Sequence, residues 1–307
     1  MVRIDLAVPA DVRFGAGRVS EVPAALAALG ASRVLVVTGR TASRADAIRS
    51  ALTEAGISSI AFGVATEPSI ERVRAGVALV AEAGCDAVLG FGGGSALDVG
   101  KAVAVLATSG ADPLDHLEVI GDGRPITRPG LPCVAVPTTA GTGSEVTRNS
   151  VLSGAGVKAS LRSPLMLPKV AVIDPDLLIG VPRPTIAASG MDALSQLIEP
   201  LLSRRANPFT DALARDGMRR SARSLGRAYQ EGMEDPGIRE DLALASLFGG
   251  LCLANSGLGA VHGSPQRPVR DFPRHTVPFA LRCSALLWMS ICGRCAIAPP
   301  NIKRWRG

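Results

Sequence analysis

Four near-continuous apolar runs, each followed by residues of a different period, leave a chain of 307 residues few ways to fold. RVLVVT at 33–38, DAVLGFG at 86–92, PCVAVP at 132–137 and KVAVID at 169–174 have no polar face to show to water. Between them, RADAIRSALTEAG at 44–56 and ERVRAGVALVAEAG at 71–84 carry apolar residues at helical spacing. A strand that is apolar on both sides needs cover on both sides, and helices crossing a parallel sheet supply it. The pattern predicts a doubly wound α/β half, with Met1-Val2-Arg3-Ile4-Asp5 as a further, first strand. After Asp174-Pro175 the strand runs stop, and the residues to 262 are rich in Ala, Leu, Arg and Met at helical spacing. The expected class is therefore α/β followed by all-α, divided as 1–179, 180–263 (an incomplete helical domain) and a tail, 264–307.

The tail is set apart by its charge. The formal net charge of +6 suggests a nucleic-acid partner until it is located. Residues 264–307 hold eight Lys and Arg against one acid, Asp271, which leaves 25 basic and 26 acidic residues upstream. The basicity therefore belongs to the tail, and no nucleic-acid partner is expected. No charged segment leading into an apolar one opens the chain, so a cytoplasmic protein is expected. Six cysteines at irregular positions suit buried thiols better than a disulfide framework, and Cys292-Gly293-Arg294-Cys295 reads as accidental rather than as a redox pair. The apolar run 280–298 is broken by Arg282 and Arg294, so no membrane span is expected.

Two loops carry the chemistry. In GFGGGSALDVGKAVAVLA, 90–107, glycines follow a strand and precede a helix, where bare backbone and helix N-terminal N–H groups can receive a pyrophosphate. The motif is neither the GxGxxG dinucleotide fingerprint nor a P-loop, and packing alone also produces such turns. PTTAGTGSEVTRNS, 137–150, again follows a strand and offers four threonines, two serines and two glycines to a polar ligand.

With these loops, the ordered motifs GGGSALDVGKA, PTTAGTGSEVT, IDPDLLIGVP, GMDALSQLIEP and NPFTDALA resemble the iron-containing (group III) alcohol dehydrogenase family, from about Arg13 to Gly263. The resemblance implies a Rossmann-like nucleotide-binding domain, a helical domain, a cleft between them holding NAD or NADP, a divalent iron or zinc ion, and a homo-oligomer. Carried over by motif, Gly93, Gly94 and Ser95 match the pyrophosphate loop, and Asp98 is expected to open the helix that follows. Thr138, Thr139, Thr142, Lys158 and Leu177 match positions around the cofactor. An acid after the early strand would hold a ribose 2′-hydroxyl. RVLVVTGRTASR instead places Gly39 there, with Arg40, Ser43 and Arg44 behind it, which leans toward NADP.

At the metal the chain departs from the family. Asp192 and His262 match two ligands and are the expected catalytic residues, but the position four after Asp192 is Gln196 rather than histidine. An amide oxygen is a poorer donor than imidazole for iron or zinc, so reduced occupancy is expected. His116 falls outside every motif and reads as a surface histidine. The family's PHGxxxxxLLP segment is missing, yet PRHTVPFALRCSAL, read one base earlier, would encode PHGAVCAALLC. A shift of reading frame between about His262 and Pro273 is therefore expected, with a divergent C-terminus as the alternative. The implied reaction is hydride transfer between an alcohol and its aldehyde or ketone, the metal polarising the oxygen. A maleylacetate-reductase-like enzyme, or a nucleotide-binding remnant without turnover, remain as other readings.

Overall fold

A computed structural model describes residues 4–154 and 156–259. His262, His275, Cys283, Cys292, Cys295, the expected frame shift and the whole tail therefore lie outside the described residues. Six parallel strands form one sheet in the order β1-β8-β5-β4-β2-β3: β1 Asp11–Phe14, β2 Arg33–Thr38, β3 Ser58–Gly63, β4 Ala87–Gly92, β5 Cys133–Pro137 and β8 Val170–Ile173. Strands β6 (Asn149–Gly154) and β7 (Val157–Arg162) form a separate antiparallel hairpin between β5 and β8.

The expectation of a parallel sheet holds. Ile4 and Asp5, however, are not in a strand, and the first strand is Asp11–Phe14. That strand is short, charged and at the sheet edge, so it lacks the two-sided apolar run that marks a central strand. Strand β3 escaped for the same reason. It is the opposite edge, and only Phe62 of its six residues is fully buried.

Successive side chains of β2 serve opposite cores. Val34 and Val36 pack with Val22, Leu26, Ile48 and Leu52, from helices α1 (Val22–Ala28) and α2 (Asp46–Glu54). Leu35 and Val37 pack with Val73, Val99 and Val103, from α3 (Ile70–Ala83) and α4 (Gly94–Leu106). The chain therefore leaves β2 toward one face and β4 toward the other. Where neighbouring strands diverge in this way, a crevice opens at their carboxyl ends. Here those ends are Gly39 and Gly92, side by side: a Cβ on Gly92 would stand 3.1 Å from the Gly39 nitrogen.

Beyond a short α5 (Pro113–His116) and the hairpin, three long helices form the second layer: α6 Arg183–Leu201, α7 Pro208–Glu231 and α8 Pro236–Ser256. Asn207 begins α7 with a reciprocal capping box to Thr210, and Asp235 caps α8 through the Gly237 N–H. The inner face of α8 (Leu242, Ala243, Leu247) packs with Ala171 and Ile173 of β8 and with Ile186 of α6. This joins the helices to the β1 side of the sheet, at the strand next to β5. No described helix is long and apolar enough to cross a membrane.

Candidate functional site

The crevice opens into a cleft of about 410 Å³. One wall is the start of α4, with Gly94, Ser95 and Asp98; the other is the segment after β5, with Thr142, Ser144, Thr147 and Asn149. Lys158 of β7 and Glu67, from the loop after β3, stand at its side, joined by an ion pair of 2.9 Å. Asp192 and Gln196 of α6 and Leu253 of α8 also line it, with Val151 of β6. Seven residues expected from sequence thus meet in one volume: Gly94, Ser95, Asp98, Thr142, Lys158, Asp192 and Gln196.

The remaining expected positions lie around it. Gly93 is the N-cap of α4, and a Cβ there would approach the Thr139 hydroxyl to 3.1 Å. Thr138 is buried at the end of β5, its N–H donating to the Gly92 carbonyl at 2.9 Å. Gly39 follows β2 directly, with nothing within 4 Å of where a Cβ would be. Leu177 packs beneath the sheet, and its carbonyl accepts from Arg44 at 2.6 Å. Arg40, the other basic residue behind Gly39, donates to the Ala65 carbonyl at 3.2 Å.

The start of α4 fits a pyrophosphate. Its first N–H groups follow an extended Gly93, and a Cβ on Gly94 would come within 2.5 Å of the Thr142 methyl, so only bare backbone fits beside that threonine. Asp98, expected at the opening of the helix, instead lies in its second turn. Its carboxylate is engaged, Oδ1 accepting from the Ser144 hydroxyl at 2.5 Å and Oδ2 from the Val151 N–H at 3.0 Å.

Asp192 and Gln196 stand one turn apart on α6, where residues four apart share a face. The Gln196 amide donates from Nε2 to Asp192 Oδ2 at 3.1 Å. Its Oε1 is buried without a hydrogen-bond partner among the described residues. A buried acceptor left open beside a carboxylate fits a divalent cation, for which the pair supplies two oxygen ligands once the amide turns. The described residues contain no cluster of three or more His, Cys, Asp or Glu that could hold a metal. By itself the pair is a weak donor set for iron or zinc, because both its donors are oxygens.

Two ionisable groups that motif reading passed over lie behind the cleft. Lys101 of α4 is fully buried, and burial lowers its pKa against the opposing pull of Asp98. Glu145 is 1% exposed, and burial pushes its carboxyl up to about 7, opposed by its own N–H and by the charge of Lys101. Both sit inside quoted motifs, but nothing in a sequence distinguishes a buried charge on a helix from a solvated one. His116 is half-buried in α5, its Nδ1 2.8 Å from the Arg124 carbonyl. Cys85, Cys133 and Cys252 are free and buried, as expected of those three.

Residues 9–175 match the family described as iron-containing alcohol dehydrogenase, and residues 186–265 match the C-terminal part of the same family. A 1,3-propanediol dehydrogenase of Citrobacter freundii is 39% identical over 84% of this chain and 67% of its own length. A long-chain-alcohol dehydrogenase of Geobacillus thermodenitrificans is 39% identical over 76% of this chain and 60% of its own. Among solved structures, sulfoacetaldehyde reductase from Bifidobacterium kashiwanohense in complex with NAD+ superposes with a TM-score of 0.84 at 31% identity, covering 95% of this chain and 77% of that one. The chain thus spans about two thirds or less of the curated relatives named here. Matches of this extent, on a fold whose cleft carries the motifs, show that the chain belongs to the iron-containing alcohol dehydrogenase family.

Proposed function

We propose that the chain is an NAD(P)-dependent dehydrogenase interconverting a small alcohol and its aldehyde or ketone in the cleft between α4 and α6. One observation carries this reading: a phosphate cradle at the start of α4 and the Asp192–Gln196 pair line the same volume. The names of the relatives support alcohols as the substrate class. We place the domain boundary near 179/180, between the turn Pro175–Leu178 and the start of α6 at Arg183.

Within this reading each wall has a task. The α4 N-terminus and the Ser95 and Thr142 hydroxyls hold the pyrophosphate by hydrogen bonds that need no counter-charge. Lys158, half-exposed and paired with Glu67, holds the sugar and phosphate edge. Asp192 and Gln196, with His262 as the third expected ligand, orient the substrate oxygen, and Leu253 keeps water from the reacting carbon. A bound NAD(P) would supply hydride exchange at the carbinol carbon, and a divalent iron held by Asp192, Gln196 and His262 would supply a Lewis acid for the oxygen. The oxygen donors Asp192 and Gln196 hold iron or zinc less tightly than a set with imidazole at position 196 would. Gly39, with open space and no carboxylate, supports acceptance of the 2′-phosphate of NADP, although Arg40 and Arg44 are occupied by backbone carbonyls. A homo-oligomer is supported by Ile4, Leu6, Val8 and Val12, which expose apolar side chains at alternate positions beside the edge strand β1. Three buried free thiols support a cytoplasmic setting.

The test is paired. NADH and NADPH fluorescence titrations of the 307-residue chain read the cradle, and alcohol-dependent reduction of NAD+ and NADP+ with added iron reads the complete cleft. Binding with turnover supports the dehydrogenase, binding without turnover supports a nucleotide-binding remnant, and no binding overturns both.

A further inference from the structure

We infer that Lys101 is a positioning residue for cofactor binding, a buried ammonium that fixes the segment after β5 against the start of α4 and so sets the width of the cradle. The inference rests on the cofactor reading of the cleft.

Lys101 does not line the cleft. It sits behind it, fully buried, one turn beyond Asp98 on α4. Removing an ammonium from water is costly unless every donor is met. Its Nζ donates to the Ser144 carbonyl at 2.9 Å, the Thr147 hydroxyl at 2.9 Å and the Asn149 carbonyl at 2.5 Å, with the Thr147 carbonyl at 3.3 Å. All four acceptors belong to six consecutive residues. Three are backbone carbonyls turned inward onto the charge, that of Ser144 accepting in addition from the Thr147 N–H at 3.3 Å, so the path of this segment follows the position of the ammonium.

Asp98 holds the same segment from the other side, accepting from the Ser144 hydroxyl and the Val151 N–H. Two residues of one helix, three apart and 3.5 Å from each other, thereby hold residues 144 to 151 by both charges. Four of the gripped residues, Ser144, Thr147, Asn149 and Val151, face the cleft opposite Gly94 and Ser95. The fit across that gap is tight: a Cβ on Gly94 would come within 2.5 Å of the Thr142 methyl. A segment free to move outward would lose simultaneous contact with both ends of a pyrophosphate, while substrate groups on α6, which Lys101 does not touch, would keep theirs.

The experiment compares Lys101→Met, close in volume but uncharged, and Thr147→Val, which removes one neutral acceptor, with the parent chain. NADH dissociation constants, KM for the cofactor, kcat, melting temperature and amide hydrogen exchange of residues 144–151 are measured on each. Charge-assisted hydrogen bonds are worth more than neutral ones, so Lys101→Met should raise the dissociation constant and cofactor KM by about tenfold or more and Thr147→Val by about threefold. For both, kcat should change less than KM, and exchange should quicken at 144–151 but not in α8. A purely structural role would lower the melting temperature without that split. If Lys101→Met does not fold, Thr147→Val decides. A folded variant with unchanged NADH affinity and unchanged exchange at 144–151 overturns the inference. A parent chain that binds no NADH overturns the cofactor reading beneath it.

Discussion

Glu145 is a carboxylic acid that folding takes out of water, and its titration follows from that. The unfolded residue ionises near 4.5, whereas in the folded chain burial pushes it up to about 7. Between those values the folded state keeps a proton that the unfolded state has released, so stability falls as pH rises through this window and no more is lost above it. Glu145→Gln cannot ionise and should remove that slope. Relative to the parent, it should gain on the order of 2–3 kcal/mol between pH 4.5 and pH 7.5, read by denaturant unfolding at both pH values. Gly39 allows a second change at one position. The space beside it is open and its backbone is not left-handed, so Gly39→Asp should fold normally. The new carboxylate repels a 2′-phosphate and accepts from a 2′-hydroxyl, so the ratio of NADPH to NADH affinity should fall by about tenfold or more in fluorescence titrations, which is ~1.4 kcal/mol. Equal ratios in parent and variant would place the adenosine ribose elsewhere.

The element that joins the two halves of the molecule is the segment after β5. Gly143 takes a left-handed φ of 60°, turning the chain into the short helical turn Ser144–Val146 directly over α8. There it meets another glycine. A Cβ on Gly250 would lie 2.4 Å from the Gly143 carbonyl oxygen, against backbone that cannot swing away. Gly250→Ala should therefore cost about 1–3 kcal/mol and lower the melting temperature by several degrees. Because the displaced segment also forms the cleft wall, NADH affinity should fall with it. Unchanged affinity in a destabilised variant would uncouple this contact from the cleft. Sequence identified the segment as a supplier of hydroxyl and amide donors but not as the packing partner of α8. The hairpin β6–β7 was missed, although Ser150 and Leu152, then Ala159 and Leu161, alternate buried with exposed positions around a glycine turn. That period of two is the signal that was available. Its polar and glycine content weakens it beside the solid apolar runs of the central strands.

For the molecule as a whole, the sheet ends at β1 among the described residues. Strand β1 pairs only with β8 among the described residues, and the extended segment before it is tied to α8 where Asn255 bonds both the N–H and the carbonyl of Ala7. Ile4, Leu6, Val8 and Val12 lie along this edge with exposures of 39% to 46%. Unpaired backbone next to an alternating apolar row favours self-association. Light scattering behind a sizing column should find the parent chain as a dimer or larger, and the double variant Leu6→Asp, Val12→Lys should move it toward the monomer. A monomeric parent would leave the edge as surface only.

The class and the central strands could be read locally because a strand buried on both faces needs apolar residues at every position, and the crossover helices show their own spacing. The motifs after β4 and β5 were legible for a similar reason, since turns against a polar ligand select glycines and hydroxyls within a few residues. No local pattern specifies the strand order β1-β8-β5-β4-β2-β3, or the meeting of Gly94, Thr142, Lys158 and Asp192 in one cleft. Those depend on contacts between residues far apart in the chain, where a strand or helix has many partners of equal apolarity. Lys101 shows the limit best: in sequence it is a lysine on a helix, which ordinarily faces water, and its burial depends on the inward-turned carbonyls of residues 144–149, the Thr147 hydroxyl and the Asp98 carboxylate.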